Sequence, residues 1–548
     1  MEGFFRISAL FLGLSFLFAP VSNADFRFKN LYSDNMLVQA GVEAPIAGYA
    51  NPNAAVDIEV VFEGGGKKSV SARGGADGRW VAKLPKMKPG VKFSVSAKSG
   101  GAVASIKNAV AGQLWLASGQ SNMDWHFERG PATDAYKSYL AALGSELDAV
   151  KGTIRIFKVR QVASFEALDD VEGSWVEPES ARIKTYSAVP LLFAKDLSGA
   201  LKQPVGVIVA SWGGSPIERW VPRSAFQYSE NTKAALLRDE RDVAGWEQRK
   251  ELFERERKIW LEKNNTPELR KANRKSEPQF KYNPFDRSTP TPGMLFNSMV
   301  SGVYPTVPSG VIWYQGESNE RRANEYGDLA KAMVLAWRAH FKAELPFYYV
   351  ELANFQEKQK KPVEDKYRWG AIREAQGEVL ALPKTGVASC ADIGDASDLH
   401  PPYKDKIARR LANLGLAQVY KIGNPKAAVS PSFKSAKFDG GVVEITLNNA
   451  DGLRFMPGKS ELSGFAVRGD GKKDWHFASG KISGRKILLS CDKVSRIQAV
   501  RYGWAHNPDL CLENKYGLPL RPFSTDKGSR LDYLGSDAMK AELSVYPK

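Results

Sequence analysis

Leu114-Trp115-Leu116-Ala117-Ser118-Gly119-Gln120-Ser121-Asn122-Met123 is the stretch whose reading decides the fold. Its first four residues are uniformly apolar, the pattern of a strand buried on both faces beneath covering helices. Ser121 follows the carboxyl end of that strand, where the chain is expected to turn straight into a helix. A hydroxyl placed there stands beside free N–H groups that can stabilise an oxyanion. This is the geometry of a hydrolase nucleophile, although an ordinary strand-to-helix turn can carry the same residues.

The chain around this segment reads as α/β. Residues 205–210, 311–314 and 347–352 are further buried strand candidates, and they alternate with helical patterns such as 407–419. Strands joined in this way imply a parallel sheet covered on both faces, with functional groups at the carboxyl ends of the strands. We assign 112–422 to this catalytic domain, with a charge-rich helical insertion at about 228–280. Trp246, Phe253 and Trp260 recur every seven residues there, which predicts one apolar stripe packed on the body. Before it, 25–111 alternates apolar and polar residues between turn signals and reads as a β-sandwich module. Alternation returns over 423–548, which reads as a second β-rich module.

Residues 1–24 have the form of a secretory signal: Arg6, an apolar run over 7–18, and small residues before Asp25. A periplasmic or secreted protein is therefore expected, and no later run is long and apolar enough to cross a bilayer. The 548 residues include only three cysteines, Cys390, Cys491 and Cys511, too few for a disulfide scaffold; Cys491 and Cys511 are left open as a pair. The formal charge of +16 favours anionic partners, although much of it falls in mixed-sign helical sequence.

A serine esterase needs a base, a group that orients the base, and donors for the tetrahedral oxyanion. Of the five histidines, His400 stands out. It closes a loop carrying Asp392, Asp395 and Asp398 and precedes a helix that can hold it. His126 is placed on the helix after the nucleophile, His340 in a structural helix, and His476 and His506 in the terminal β region. Donors are expected after the second strand, where Gly213 and Gly214 let backbone N–H groups approach a substrate. Gln315 and Asn319 offer amide side chains after the third. The dispersed histidines form no metal cluster, so neither metal nor cofactor is expected.

Gly119-Gln120-Ser121-Asn122-Met123, Trp212-Gly213-Gly214-Ser215-Pro216-Ile217-Glu218, Trp313-Tyr314-Gln315-Gly316-Glu317-Ser318-Asn319 and Asp398-Leu399-His400-Pro401 together resemble the ordered blocks of the SGNH hydrolases, specifically the sialate O-acetylesterase family. Asn35-Met36-Leu37-Val38-Gln39, Asp77-Gly78-Arg79-Trp80, Arg501-Tyr502-Gly503-Trp504 and Gly517-Leu518-Pro519 extend the resemblance to both flanking modules. It implies a three-layer parallel sheet, Ser121 as nucleophile and His400 as general base. The implied oxyanion hole is the Ser121 N–H, a glycine N–H from Gly213 or Gly214, and an amide from Gln315, with Asn319 second. The third block departs from the superfamily's Gly-x-Asn-Asp. Superfamily members commonly space acid and base as Asp-x-x-His, but Ser397 occupies that position here. Asp398 is the first choice as acid, Asp395 and Asp392 the alternatives, and a dyad without a carboxylate stays open.

The activity so implied is hydrolysis of acetyl esters on a carbohydrate, with sialic acids first and xylan or another glycan second. A basic protein suits a carboxylated sugar. The alternative of another class is a non-catalytic glycan-binding protein whose β modules do the binding. Neither nucleic acid nor stable membrane insertion is expected.

Overall fold

The computed structural model describes residues 26–526, apart from 279–282, 284–285, 287–288, 290, 364–367 and 470–473. The signal expected over 1–24 lies outside the described residues. One 18-residue strand, Ala102–Gly119, organises the fold. Its first part pairs antiparallel with Lys92–Ser99 and parallel with Leu37–Gln39. Its second part pairs parallel with Val205–Ser211 on one side and Val311–Tyr314 on the other. Burial follows the sequence: alternating and mostly exposed through Asn108, then nearly continuous from Ala109 onward. The expected boundary near 111 thus falls inside one unbroken strand.

Across the large sheet the order is Gly173–Val176, Ile154–Val159, Val205–Ser211, Ala102–Gly119, Val311–Tyr314, Phe347–Val350 and Thr385–Ala388. The edge strand Gly173–Val176 runs antiparallel to its neighbour, so the sheet is mixed where a parallel one was expected. Ile154–Val159 escaped the sequence reading because Arg155 and Lys158 interrupt its apolar run. Arg155 is nevertheless buried, its guanidinium 2.8 Å from Glu177.

Trp115 anchors one face of the sheet. Phe193 of the helix Ala188–Leu201 meets its ring edge-on at 5.0 Å, and Gly415 of the helix Asp405–Gln418 lies against it so closely that a β-carbon would stand 3.3 Å from the indole. Trp313 projects from the opposite face and meets Trp337 of the helix Ala323–Phe341 edge-on at 6.1 Å. Helices therefore cover both faces, and the central strands exclude water throughout, as their apolar sequence requires.

The amino-terminal region adds the sheet of Arg27–Phe28, Pro45–Tyr49 and Arg79–Lys83. The carboxyl-terminal region has its own core, including Val443, Ile445, Phe465 and Tyr502. Buried Arg373 ties that region to the large sheet by donating to the carbonyls of Leu352 (2.8 Å), Ala505 (2.7 Å) and His506 (3.0 Å). In the insertion, the helices Glu230–Ala244, Trp246–Lys263 and Pro267–Ala272 form as the pattern predicts. Of the seven-residue stripe, Trp260 is buried, while Trp246 and Phe253 are half-buried. All three cysteines are free. Among the described residues no helix is long and apolar enough to cross a membrane.

Candidate active site

The register of the sheet sets Gly119 beside both Ser211 and Tyr314, so three loops leave the carboxyl ends of adjacent strands at one level. Trp212 N–H donates to the Gly119 carbonyl (3.0 Å) and Gln120 N–H to the Tyr314 carbonyl (2.9 Å), stitching these loops together. Gly119 adopts φ +139°, and a β-carbon there would lie 2.1 Å from the Tyr314 oxygen. Only glycine fits such a close approach. The chain then turns into the short helix Ser121–Asp124. This is a single turn, so what it offers an anion is its local N–H groups rather than a long helix dipole.

Gly213 flanks the serine, its β-carbon position 3.5 Å from Ser121 Cβ. The N–H groups of Ser121, Gly213 and Gly214 meet no acceptor among the described residues. Unsatisfied, part-exposed donors around a serine are what an oxyanion site requires.

His400 Nε2 lies 2.8 Å from Ser121 Oγ, although 279 positions separate the two residues. Burial lowers the imidazole pKa below its ordinary value; the Lys404 cation adds to that depression, Asp398 opposes it and Arg129 reinforces it. The three candidate carboxylates part company. Asp398 Oδ1 is 3.7 Å from His400 Nδ1 and accepts the backbone N–H of His400 at 2.7 Å; its side chain is 52% exposed. Asp395 turns into its own loop, accepting from Ser397 N–H and Oγ, both at 2.7 Å. Asp392 pairs with Arg410 through two contacts of 2.7 and 2.8 Å.

Gln315 and Asn319 are both fully buried, and neither is hydrogen-bonded to Ser121. Gln315 Nε2 lies 2.8 Å from Asn319 Oδ1, 3.1 Å from Gln120 Oε1 and 3.3 Å from the Ser215 carbonyl. Asn319 Nδ2 donates to Glu218 at 2.8 Å, and its Oδ1 accepts Ile217 N–H at 2.9 Å. Burial alone would raise the Glu218 pKa, but Arg322 and Arg238 hold it below the ordinary value. Asn319 thus braces the second loop against the third.

His126 is not helical: it forms an isolated bridge with Ser187 before a 3₁₀ turn. His340 sits in the helix Ala323–Phe341 with Nε2 3.0 Å from the Ser301 carbonyl. The sequence reading passed over four groups that the fold gathers here: Asn122, Glu317, Lys404 and Arg129. Asn122 and Glu317 lay inside quoted segments, but lone polar residues carry no signal of what they will face. Among the described residues no group of three or more His, Cys, Asp or Glu is arranged to hold a metal ion.

A family profile described as carbohydrate esterase, sialic acid-specific acetylesterase, matches residues 285–413, the span that carries Gln315, Asn319, Asp398 and His400. A crystal structure of a carbohydrate acetylesterase from Xanthomonas citri superposes with a TM-score of 0.72 at 28% identity, covering 92% of this chain and 100% of that one. With a serine and a histidine within hydrogen-bond distance at the strand ends, these likenesses support carbohydrate acetylesterase activity. The sialate O-acetylesterase of Rattus norvegicus is 27% identical over 432 residues, 70% of this chain and 72% of the relative. That of Homo sapiens is 25% identical over 536 residues, 88% of each chain. Among carbohydrate esterases, the chain is thus similar to the sialate O-acetylesterases over most of its length.

Proposed function

We propose that this protein is an exported carbohydrate O-acetylesterase of the SGNH type that removes acetyl esters from sialic acids through a serine acyl-enzyme. The observation that carries the reading is the 2.8 Å contact between Ser121 Oγ and His400 Nε2. Ser121 Oγ attacks the acetyl carbonyl while His400 accepts its proton. The oxyanion is held by the N–H groups of Ser121 and of Gly213 or Gly214; the Gln315 and Asn319 carboxamides donate within the loops instead and hold those loops in register. His400 returns the proton to the departing sugar oxygen, and the acetyl group stays on Ser121. Water, deprotonated by the same imidazole, then releases acetate. Asp398, the carboxylate nearest Nδ1, favours the imidazolium as it forms; contacts of this kind often tighten once substrate is bound.

The depressed basicity of His400 has a definite sign. The base acts in its neutral form, which a lowered pKa preserves to lower pH. The acid limb of kcat/KM on p-nitrophenyl acetate should therefore fall below the ordinary imidazole value of 6.5. An acid limb above it would contradict this account of the base.

Arg129 supports an anionic sugar as substrate. It is exposed, pairs with no described carboxylate, and lies near enough to depress the basicity of both His126 and His400. Such an exposed cation within electrostatic reach of the reacting histidine suits the carboxylate of a sialic acid. Acetate release should be faster from O-acetylated sialic acids than from acetylated xylan. In Arg129→Gln the KM for the sialic acid ester should rise about tenfold, the worth of one charge-assisted contact, with less change on xylan. Faster release from xylan, or equal loss on both substrates, would move the substrate assignment to neutral glycans.

A further inference from the structure

His400 is held over Ser121 at 2.8 Å, yet the nearest carboxylate is beyond hydrogen-bond distance from its other ring nitrogen. Something else must fix the loop that carries it. Asn122, the residue after the serine, is buried, and its carboxamide reaches that loop from two sides. Nδ2 donates to the carbonyl of Leu399, immediately before His400, at 3.1 Å. Oδ1 accepts from Lys404 Nζ at 2.5 Å, four residues after His400 and just ahead of the helix Asp405–Gln418. Nδ2 also meets Glu317 Oε1 at 2.6 Å, which comes from the loop after Val311–Tyr314. One side chain therefore ties three loops together at the point where the serine and histidine meet.

The groups gripping Asn122 are unusual for a structural brace. Lys404 is fully buried, has no carboxylate within 4 Å among the described residues, and lies between the rings of Trp125 and Tyr314, 5.5 and 5.6 Å from their centres. Glu317 is buried as well, with Oε2 lacking any partner. Burial drives the Lys404 pKa down to about 7 and raises that of Glu317. A buried cation and a buried acid held apart by an amide are costly to maintain, and such arrangements concentrate where function requires them.

We propose that Asn122, gripped by Glu317 and Lys404, is the positioning residue that sets His400 over Ser121. The inference rests on the serine–histidine reading above. The ionisable groups that bear on Lys404 are Glu317, Cys390 and Asp398; those that bear on His400 are Lys404, Asp398 and Arg129.

The test is steady-state hydrolysis of p-nitrophenyl acetate by the full chain, with thermal melts for every variant. Ser121→Ala is run first: if it keeps its rate, the functional reading fails, whatever Asn122 does. With that control inactive, Asn122→Ala and Asn122→Asp should each lose about 100-fold or more in kcat with KM little changed, the effect of misplacing a base by about 1 Å. Asn122→Asp keeps an acceptor for Lys404 but loses both donor contacts. Asp398→Ala should lose less than either. A folded Asn122 variant within about threefold of wild type would overturn the proposal. Should both Asn122 variants fail to fold, Lys404→Met decides: a loss in kcat with KM little changed, from releasing Asn122 Oδ1, supports the proposal, and a wild-type kcat overturns it.

Discussion

Replacing Ser121 or His400 by alanine is expected to abolish acetyl ester hydrolysis, with kcat falling about 10⁴-fold or more in each case. The size follows from the geometry. A hydroxyl is a poor nucleophile until a base takes its proton, and here the base is one hydrogen bond away, at 2.8 Å. Removing the oxygen leaves nothing to acylate; removing the imidazole leaves an alcohol that does not ionise near neutral pH. Because the two act as a unit, the double variant should be no worse than either single one. Residual turnover should come only from the unpaired N–H groups around the site. Asp398→Ala should cost far less, about tenfold, since a half-exposed carboxylate 3.7 Å from Nδ1 adds a screened field rather than a firm hydrogen bond. The check is kcat on p-nitrophenyl acetate for wild type and all four variants, with melts to establish folding. Either alanine variant retaining activity within about tenfold of wild type would remove this serine or histidine from the chemistry.

The parts of the site legible in the sequence are those where chemistry and periodicity coincide. An apolar run followed by Ser121 announces both a buried strand and a hydroxyl at its end. His400 is marked by the acidic loop before it and the helix after it. What the sequence could not reveal is which acid faces the imidazole, because that depends on loop closure. Asp392 is drawn away by Arg410 from a helix downstream, and Asp395 is consumed by the turn it caps. The Asn122 network was equally hidden. Its members sit at 122, 317, 399 and 404, on segments that only the order of the strands brings together. The fold shows the same division. Uniformly apolar strands such as Val205–Ser211 declare themselves, whereas Ile154–Val159 conceals a buried Arg155 whose charge is satisfied by a distant Glu177. The unbroken strand Ala102–Gly119 hides for the opposite reason: its pattern changes midway, from alternating to continuous, although its backbone does not.

Gly119→Ala should be the most damaging substitution outside the reacting groups. The added β-carbon would stand 2.1 Å from the Tyr314 carbonyl oxygen and 2.7 Å from its carbon, both backbone atoms that cannot swing aside. At φ +139° an L-residue is strained as well, by about 1–3 kcal/mol. Relief requires prising apart the central strands, which endangers two hydrogen bonds, Gln120 N–H to Tyr314 and Trp212 N–H to Gly119, each worth about 1 kcal/mol. A total destabilisation of about 3–5 kcal/mol is expected, visible as a lowered midpoint in denaturant melts. The displacement falls two residues from Ser121 and on the strand beside the Gln315 loop. The folded fraction should therefore lose about 100-fold in kcat, because a shift near 1 Å suffices. Gly65→Ala separates strain from collision: Gly65 has φ +104° but nothing within 4 Å of its β-carbon position. That variant should show a modest loss of stability and full activity. If Gly119→Ala behaves like Gly65→Ala, backbone crowding at the strand end does not hold Ser121 in place, and the rigidity of the nucleophile turn must come from elsewhere in the sheet.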